Sequence, residues 1–177
     1  MPSTVRIAVV GAGRFANLAV LPVLKRTPDV EVVAVTGRTP EKLARVTALF
    51  GVPKTFLSVE ALLAGTAFEA AVVCTPPEAH PPAVNALLEA GKDVCCEKPL
   101  APSLSDMEAM VARAKAKDRV FMVGLNRRYA PVCVRAKALF DGRRVDLCSV
   151  EKHKDNLDRR PLLNDAIHMI DFMRWVC

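Results

Sequence analysis

VRIAVVGAGRFA, residues 5–16, joins a short apolar run to a glycine-rich turn. The β-branched run Val5–Val10 predicts a buried strand, and the GxGxxA spacing after it is typical of a turn into a helix. The first glycine permits the tight turn, the second lets the backbone approach a pyrophosphate, and the small Ala16 lets helix and strand pack closely. A helix from 14 to about 25 would direct unpaired N–H groups at the phosphates. The stretch therefore predicts a dinucleotide-binding loop, with candidate contacts at Gly11, Gly13, Arg14, Phe15 and Ala16.

Beyond this loop, apolar runs and amphipathic segments alternate along the chain. Pro40 at the start of the second helix and Gly51 after its end mark its boundaries. Such regular alternation indicates a parallel sheet covered by helices on both faces. The sequence therefore predicts an α/β fold, a Rossmann doubly wound parallel sheet, over residues 1–126. Its further strands are predicted at 30–36, 54–57, 70–74, 93–96 and 120–125, and its further helices at 40–51, 58–63, 78–90 and 103–117.

Residues 127–177 break this alternation. A helix is predicted at 132–140, a strand at 145–151 and an amphipathic helix at 164–176. No later segment is predicted to pair with that strand, and a lone strand leaves its backbone donors and acceptors unpaired. We therefore expect residues 127–177 to be the truncated start of a second, α+β domain.

Composition narrows the classes of protein. Of the 177 residues, 51% are apolar, which permits a sizeable core, yet no apolar run is long enough to span a bilayer. No signal peptide precedes the first strand, so a cytoplasmic protein is expected. The six cysteines lack the CxxC spacing of zinc ligands, so we expect reduced core residues and no metal site. The net charge of +6 comes from scattered Lys and Arg without a DNA-binding motif, and attraction of a phosphate-bearing cofactor explains it as well as nucleic acid does.

The end of the second predicted strand bears on the choice of cofactor. An acidic side chain there would accept hydrogen bonds from the ribose hydroxyls of NAD. This chain has Thr36-Gly37-Arg38-Thr39 instead. Arg38 could pair with a 2′-phosphate and stack on adenine, whereas a solvated loop arginine is the structural alternative. The sequence therefore favours NADP over NAD, with Thr36 and Arg38 as cofactor-binding candidates.

Further segments with chemistry-bearing residues follow predicted strands, at the edge where such sheets bind ligands. Together with the glycine loop, they make the chain resemble the glucose–fructose oxidoreductase/inositol dehydrogenase family (Gfo/Idh/MocA). The combination of the glycine loop with Glu97-Lys98-Pro99 is the most specific part of the resemblance. The segments are Cys74-Thr75-Pro76-Pro77 with His80, Glu97-Lys98-Pro99, residues 124–129 and residues 164–175.

The resemblance implies an enzyme that transfers a hydride between a nicotinamide and a hydroxyl-bearing carbon of a sugar, cyclitol or related diol. Lys98 would hold the reacting oxygen and stabilise its developing negative charge, and the Lys98–Pro99 bond would be cis. His80 would fix its loop rather than catalyse. In the family, the chain passes into a large antiparallel sheet domain that completes the substrate pocket and mediates oligomerisation, so a homo-oligomer is expected. The residues that would line the cofactor groove are Thr75, Pro76, Glu97, Lys98 and Arg127.

The last predicted helix carries the candidates for proton transfer. Asn164, His168, Asp171 and Trp175 are spaced to share one helix face. The resemblance favours His168 as the general base, and Asp171, one turn on, could orient its ring; a structural histidine is the alternative. The family usually has an aspartate four residues before this histidine, where this chain has Asn164. Either Asp165 takes that role after a small helix shift, or His168 works without it.

Three classes of function follow from these observations. The first is the oxidoreductase, with this chain as a truncated, cofactor-binding part that shows negligible turnover alone. The second is a non-catalytic NAD(P)-binding regulatory or sensor module. Lys98 and His168 favour the enzyme, whereas Asn164 and the short chain favour the module. The third, a structural or nucleic-acid-binding protein, is supported by the net charge and by no motif.

Overall fold

The computed structural model describes residues 4–151 and 166–177, and the chain divides into two compact units, the first ending at Val123 and the second beginning at Gly124. The first unit contains a sheet of six strands, and every neighbouring pair is parallel. The strands are β1 (Val5–Val10), β2 (Val30–Thr36), β3 (Lys54–Phe56), β4 (Ala70–Val73), β5 (Asp93–Cys96) and β6 (Phe121–Val123). Their order, β3-β2-β1-β4-β5-β6, confirms the predicted doubly wound Rossmann sheet.

Five α-helices of the first unit connect these strands, and caps at Ser58, Ser103 and Gly51 mark three of their ends. The Ser58 hydroxyl accepts from the Ala61 N–H at 3.1 Å, and Ser103 caps its own helix in the same way. Gly51 ends the second helix with φ 61°, in the left-handed region. The helices are α1 (Leu21–Leu24), α2 (Pro40–Phe50), α3 (Val59–Gly65), α4 (His80–Glu89) and α5 (Leu104–Ala116).

The central strand β1 is buried on both faces, because alternate side chains enter different core clusters. Val9 lies in a cluster with Leu21 of α1 and Leu43 of α2. Its neighbours Ala8 and Val10 lie in a second cluster with residues of α3, α4 and α5, namely Leu62, Leu87 and Met110. One apolar layer thus lies on each face of the sheet, between its strands and the helices that cover them.

The first helix differs from the continuous α-helix predicted for 14–25. Residues Ala16–Val20 form a π-helical turn, in which the Leu21 N–H donates to the Ala16 carbonyl, before α1 begins. Pro22 provides the physical reason. It has no N–H to donate to the carbonyl four residues back, and its ring would clash with that carbonyl, so the helix widens.

The second unit contains a 3₁₀ turn, Asn126–Tyr129, and the helices α6 (Pro131–Phe140) and α7 (Ile167–Val176). The prediction of a strand at 145–151 is wrong, because these residues have no strand in the structure. An extended segment forms a strand only where a neighbour pairs with its backbone. The start of the last predicted helix, with Asn164 and Asp165, lies outside the described residues. Within the described ranges, no helix has both the length and the apolar character needed to cross a membrane.

All six cysteines are free thiols. Cys96 is buried, four others are partly buried, and Cys177 is exposed, so the expectation of six core residues is wrong for Cys177. Burial raises the pKa of Cys74 to about 12, with the charges of Glu97 and Cys95 adding to the effect. The buried thiols therefore stay protonated and unreactive at neutral pH.

Candidate functional site

A cleft of about 520 Å³ opens beyond the carboxyl ends of β1, β2 and β4. Because β1 lies between β2 and β4, this is the point where the strand order reverses, and doubly wound sheets bind ligands there. The glycine loop, the β2 end with the start of α2, the start of α3 and the loop after β4 form its walls. The lining residues are 10–13, 36–39, Lys42, 57–60, 74–76, Ala79, Pro82 and Ala83.

Two glycines give the loop its shape and its open side. Gly11 has φ 111°, and a Cβ there would lie 3.0 Å from both the carbonyl carbon and the carbonyl oxygen of Cys74. The Gly11 N–H donates to the Thr36 carbonyl at 3.0 Å, which ties the loop to the end of β2. A Cβ at Gly13 would meet no heavy atom within 4 Å, because this position faces open space. Gly11 thus permits close packing of two loops, and Gly13 leaves room for a ligand against the backbone.

Asn17 braces the glycine loop from the first turn of the helix. Its amide nitrogen Nδ2 donates to the carbonyls of Ala12, at 3.1 Å, and Gly13, at 2.7 Å. These two bonds fix the path of the loop backbone beside the cleft. The sequence analysis missed this residue, although a side-chain amide one turn into a helix after a glycine loop is a recognisable signal for such a brace.

The β2 end of the cleft is positively charged. Arg38 and Lys42 line it, both are exposed, and neither forms an ion pair with another described residue. Glu60 also lines the cleft, but its carboxylate accepts from its own backbone N–H and from the Ser58 hydroxyl, which lowers its pKa. This end of the cleft thus carries two cations and one carboxylate, and neither cation has an ion-pair partner among the described residues. Such an excess of positive charge suits a phosphate better than it suits ribose hydroxyls.

The Thr75 hydroxyl bears on whether a dinucleotide fits this cleft. Its Oγ1 is buried and has no hydrogen-bond partner among the described residues, although Thr75 lines the cleft. A buried hydroxyl without a partner is destabilising, and a polar group bound in the cleft would satisfy it. Together with the open backbone at Gly13 and the cations at the β2 end, this hydroxyl fits the phosphates and polar groups of a dinucleotide.

The segment Glu97-Lys98-Pro99 lies directly after β5, and the Lys98–Pro99 peptide is cis, as the resemblance implied. The Glu97 N–H donates to the Val73 carbonyl at 2.9 Å, and its carboxylate accepts from the Lys98 N–H at 3.2 Å. Burial raises the pKa of Glu97, against the opposing effects of the Lys98 N–H and the charges of Lys98 and His80. Since β5 is the parallel neighbour of β4, this segment lies at the same edge of the sheet as Thr75.

In the second unit, Asp171 pairs with Arg128, a partner that the sequence analysis did not name. Its carboxylate oxygens accept from the Nε and Nη2 atoms of Arg128, with 3.0 Å between Nε and Oδ2. The Arg128 guanidinium also lies 5.9 Å from the ring centroid of Trp175. His168 is buried on the same helix, and Arg127 is exposed in the 3₁₀ turn. This ion pair fastens α7 to the 3₁₀ turn, and the role of Asp171 in orienting His168 stays a prediction.

Residues 5–125 match Gfo/Idh/MocA, described as an oxidoreductase family with an NAD-binding Rossmann fold. The chain belongs to this family. The sheet order, the glycine loop and the cis Lys98–Pro99 segment are thus features of a chain that belongs to an oxidoreductase family.

Individual relatives show how much of such a protein the chain represents. It is 34% identical to YceM of Salmonella typhimurium over 178 residues, which covers 98% of the chain and 56% of the relative. It is 32% identical to inositol 2-dehydrogenase 1 of Saccharopolyspora erythraea, over 98% of the chain and 54% of the relative. A solved mutant of a 3-ketoreductase from Actinomadura kijaniata, in complex with TDP-benzene and NADP, is 27% identical with TM-score 0.73, over 79% of the chain and 43% of that protein. The chain thus spans about half the length of the curated relatives it matches.

The cofactor candidates named from the sequence fall into several groups. Six line the cleft: Gly11, Gly13, Thr36, Arg38, Thr75 and Pro76. Ala16 is fully buried in the core beside Val9, as its packing role requires, whereas Arg14 and Phe15 are exposed and outside the lining. Glu97 and Lys98 lie at the next strand end, and Arg127 belongs to the second unit.

Several lining residues were missed by the sequence analysis. Lys42 and Pro82 reach the cleft from helices, and Leu57 and Ser58 reach it from the segment before α3. Lys42 could have been found as a cation one turn into the helix after the ribose-binding segment. The others carry no chemical signal, because only the folding of the chain brings them to the cleft.

Proposed function

We propose that this chain is the cofactor-binding part of an NAD(P)-dependent oxidoreductase acting on a hydroxyl-bearing carbon of a sugar, cyclitol or related diol. The cleft at the reversal of strand order carries the proposal, because it combines open backbone at Gly13, the unsatisfied Thr75 hydroxyl and a positive end at Arg38. Similarity to an inositol 2-dehydrogenase and to a 3-ketoreductase supports this substrate class. When bound, the nicotinamide would supply or accept the hydride.

We infer that the preferred cofactor is NADP. Arg38 can form a bidentate pair with a 2′-phosphate, and Lys42 adds a second positive charge at the same end of the cleft. Thr36 stands where a carboxylate would repel that phosphate. The NADP in the solved 3-ketoreductase complex is consistent with this preference.

We propose Lys98 and His168 as the residues that handle the reacting hydroxyl. The Lys98 ammonium would stabilise negative charge on the oxygen, and His168 would hold its proton. Asp165 remains the proposed carboxylate partner of His168.

We also propose that the complete protein is a cytoplasmic homo-oligomer. The free thiols support a reducing compartment. The α6 surface supports a protein contact, since it exposes the apolar side chains Val132, Val134 and Leu139. In this proposal, the part of the family's length that the chain does not span completes the substrate pocket and the subunit interface.

Titration calorimetry with NADP⁺ and NAD⁺ tests the cofactor assignment. NADP⁺ should bind more tightly, and Arg38→Ala should weaken it by about 10- to 100-fold, as expected for a lost charged hydrogen-bonding pair. NAD⁺ binding should change less than about twofold. Arg45→Ala is the matched control, because Arg45 is an exposed α2 arginine outside the cleft lining. Tighter binding of NAD⁺ than of NADP⁺ by the unmodified chain would contradict the assignment.

Turnover separates the enzyme from the second candidate, a non-catalytic cofactor-binding module. Asn164, in place of the family's aspartate, is the observation that favours the module. A panel of cyclitols and sugars with NADP⁺, assayed on the complete protein, should show saturable reduction of the cofactor. Tight cofactor binding with no turnover of any hydroxylated substrate would favour the module instead.

A further inference from the structure

His80 is the fully buried first residue of α4, and its ring lies between two loops of the ligand edge. Its Nε2 is 2.7 Å from the carbonyl oxygen of Thr75, in the loop after β4. Its Nδ1 is 3.1 Å from the carbonyl oxygen of Pro99 and 3.2 Å from that of Leu100, in the loop after β5. One side chain therefore reaches both the loop with the unsatisfied Thr75 hydroxyl and the loop with Lys98.

The neighbours of both ring nitrogens are carbonyl oxygens, and this decides which hydrogen bonds the ring can form. A carbonyl oxygen only accepts, so each ring nitrogen forms its bond only when it carries a proton. A ring with one N–H ties down one loop, whereas a ring with both N–H groups ties down both. The charged groups that act on this region are Glu97 and Lys98 of the β5 loop, and the Glu97 carboxylate is close enough to sense the charge of His80.

We propose that His80 is a positioning residue for Lys98, and that its ring locks the Lys98 loop to the Thr75 loop through the Nδ1 contact with the Pro99 carbonyl. The proposal rests on the proposed function, in which Lys98 handles the hydroxyl that reacts with the nicotinamide. The bond to Pro99 holds the residue next to Lys98, so the ammonium keeps its place relative to Thr75. Small displacements of a catalytic group have large effects on reactivity, which gives this lock its importance.

The distinguishing test compares turnover by the complete protein with binding of the cofactor and of its adenine half. His80→Phe keeps a ring of similar size but removes both ring nitrogens, and His80→Asn keeps one donating nitrogen. We expect His80→Phe to lower kcat about tenfold, because the Lys98 ammonium is displaced, while the affinities for NADP⁺ and for 2′,5′-ADP change less than about twofold. His80→Asn should recover part of the lost kcat. An unchanged kcat in both variants, or equal weakening of NADP⁺ and 2′,5′-ADP binding, would overturn the proposal.

Leu87→Ala is the matched control, since Leu87 is fully buried on the same helix and contacts the core. It should lower stability without lowering kcat at temperatures where the variant is folded. If a His80 variant does not fold, NMR of the ring nitrogens in the unmodified chain still decides: we expect a hydrogen-bonded proton on Nδ1, the nitrogen that faces Pro99. A proton on Nε2 alone would overturn the lock. Failure of the unmodified chain to bind either ligand would instead overturn the proposed function, and the NMR result would still judge the lock.

Discussion

Replacing Gly11 with alanine should destabilise the fold, whereas the same change at Gly13 should not. Gly11 has φ 111°, a conformation that costs a residue with a side chain about 1–3 kcal/mol. The new Cβ would also lie 3.0 Å from the carbonyl group of Cys74 and 3.2 Å from the Thr75 nitrogen, which are backbone atoms that cannot turn aside. At about 3 °C per kcal/mol for a chain of this size, the strain alone should lower Tm by roughly 3–9 °C.

Gly13 provides the matched contrast within the same loop. Its φ is outside the left-handed region, and a Cβ there would meet nothing within 4 Å. Gly13→Ala should therefore leave Tm unchanged or raise it slightly, because alanine loses about 0.4–1 kcal/mol less backbone entropy on folding. The same Cβ would occupy the space where a phosphate approaches the backbone, so NADP⁺ binding should weaken about tenfold or more.

Thermal unfolding followed by circular dichroism measures the first effect, and titration calorimetry measures the second. The two variants should separate: Gly11→Ala mainly in Tm, Gly13→Ala in affinity at normal Tm. The reasoning is refuted if Gly13→Ala lowers Tm as much as Gly11→Ala does, or if it binds NADP⁺ normally.

Three further outcomes are expected. In the complete protein, Lys98→Ala should lower kcat about a hundredfold with little change in cofactor affinity, measured by steady-state kinetics; near-normal kcat would exclude Lys98 from the chemistry. Burial raises the pKa of Glu97 in the folded state, so its destabilising ionisation is fully present above the folded pKa and absent below the ordinary value. Glu97→Gln should therefore raise the free energy of unfolding at pH 7 relative to pH 4 in denaturant titrations, and an equal change at both pH values would contradict that cause. Iodoacetamide at pH 8 should modify the exposed Cys177 and spare Cys74, whose pKa of about 12 keeps it protonated, and mass spectrometry of Cys74 peptides reports the opposite result directly.

Local patterns in the sequence determined most of the secondary structure and the glycine loop of the cofactor site. The strand–helix alternation, the caps at Ser58 and Ser103 and the turn at Gly11 each depend on a few neighbouring residues, so they could be predicted without contacts. The π-helical turn was missed even though its cause, Pro22, is local, because the apolar periodicity there continues through the proline. The strand at 145–151 failed for the opposite reason, since a strand needs a partner that local pattern does not supply.

Tertiary structure decided the contacts between segments far apart in the chain. His80 bonds to Leu100, and Arg128 bonds to Asp171 across 43 positions, although helix spacing alone placed Asp171 one turn from His168. Lys42 likewise joins Arg38 at the cleft through the packing of α2 beside β2. A carboxylate or imidazole pairs with whichever donor or acceptor the fold brings within about 3 Å. Sequence spacing within one helix identifies the candidates. The tertiary fold brings in the partners, at the edge of the parallel sheet for His80 and Lys42 and within the second unit for Asp171.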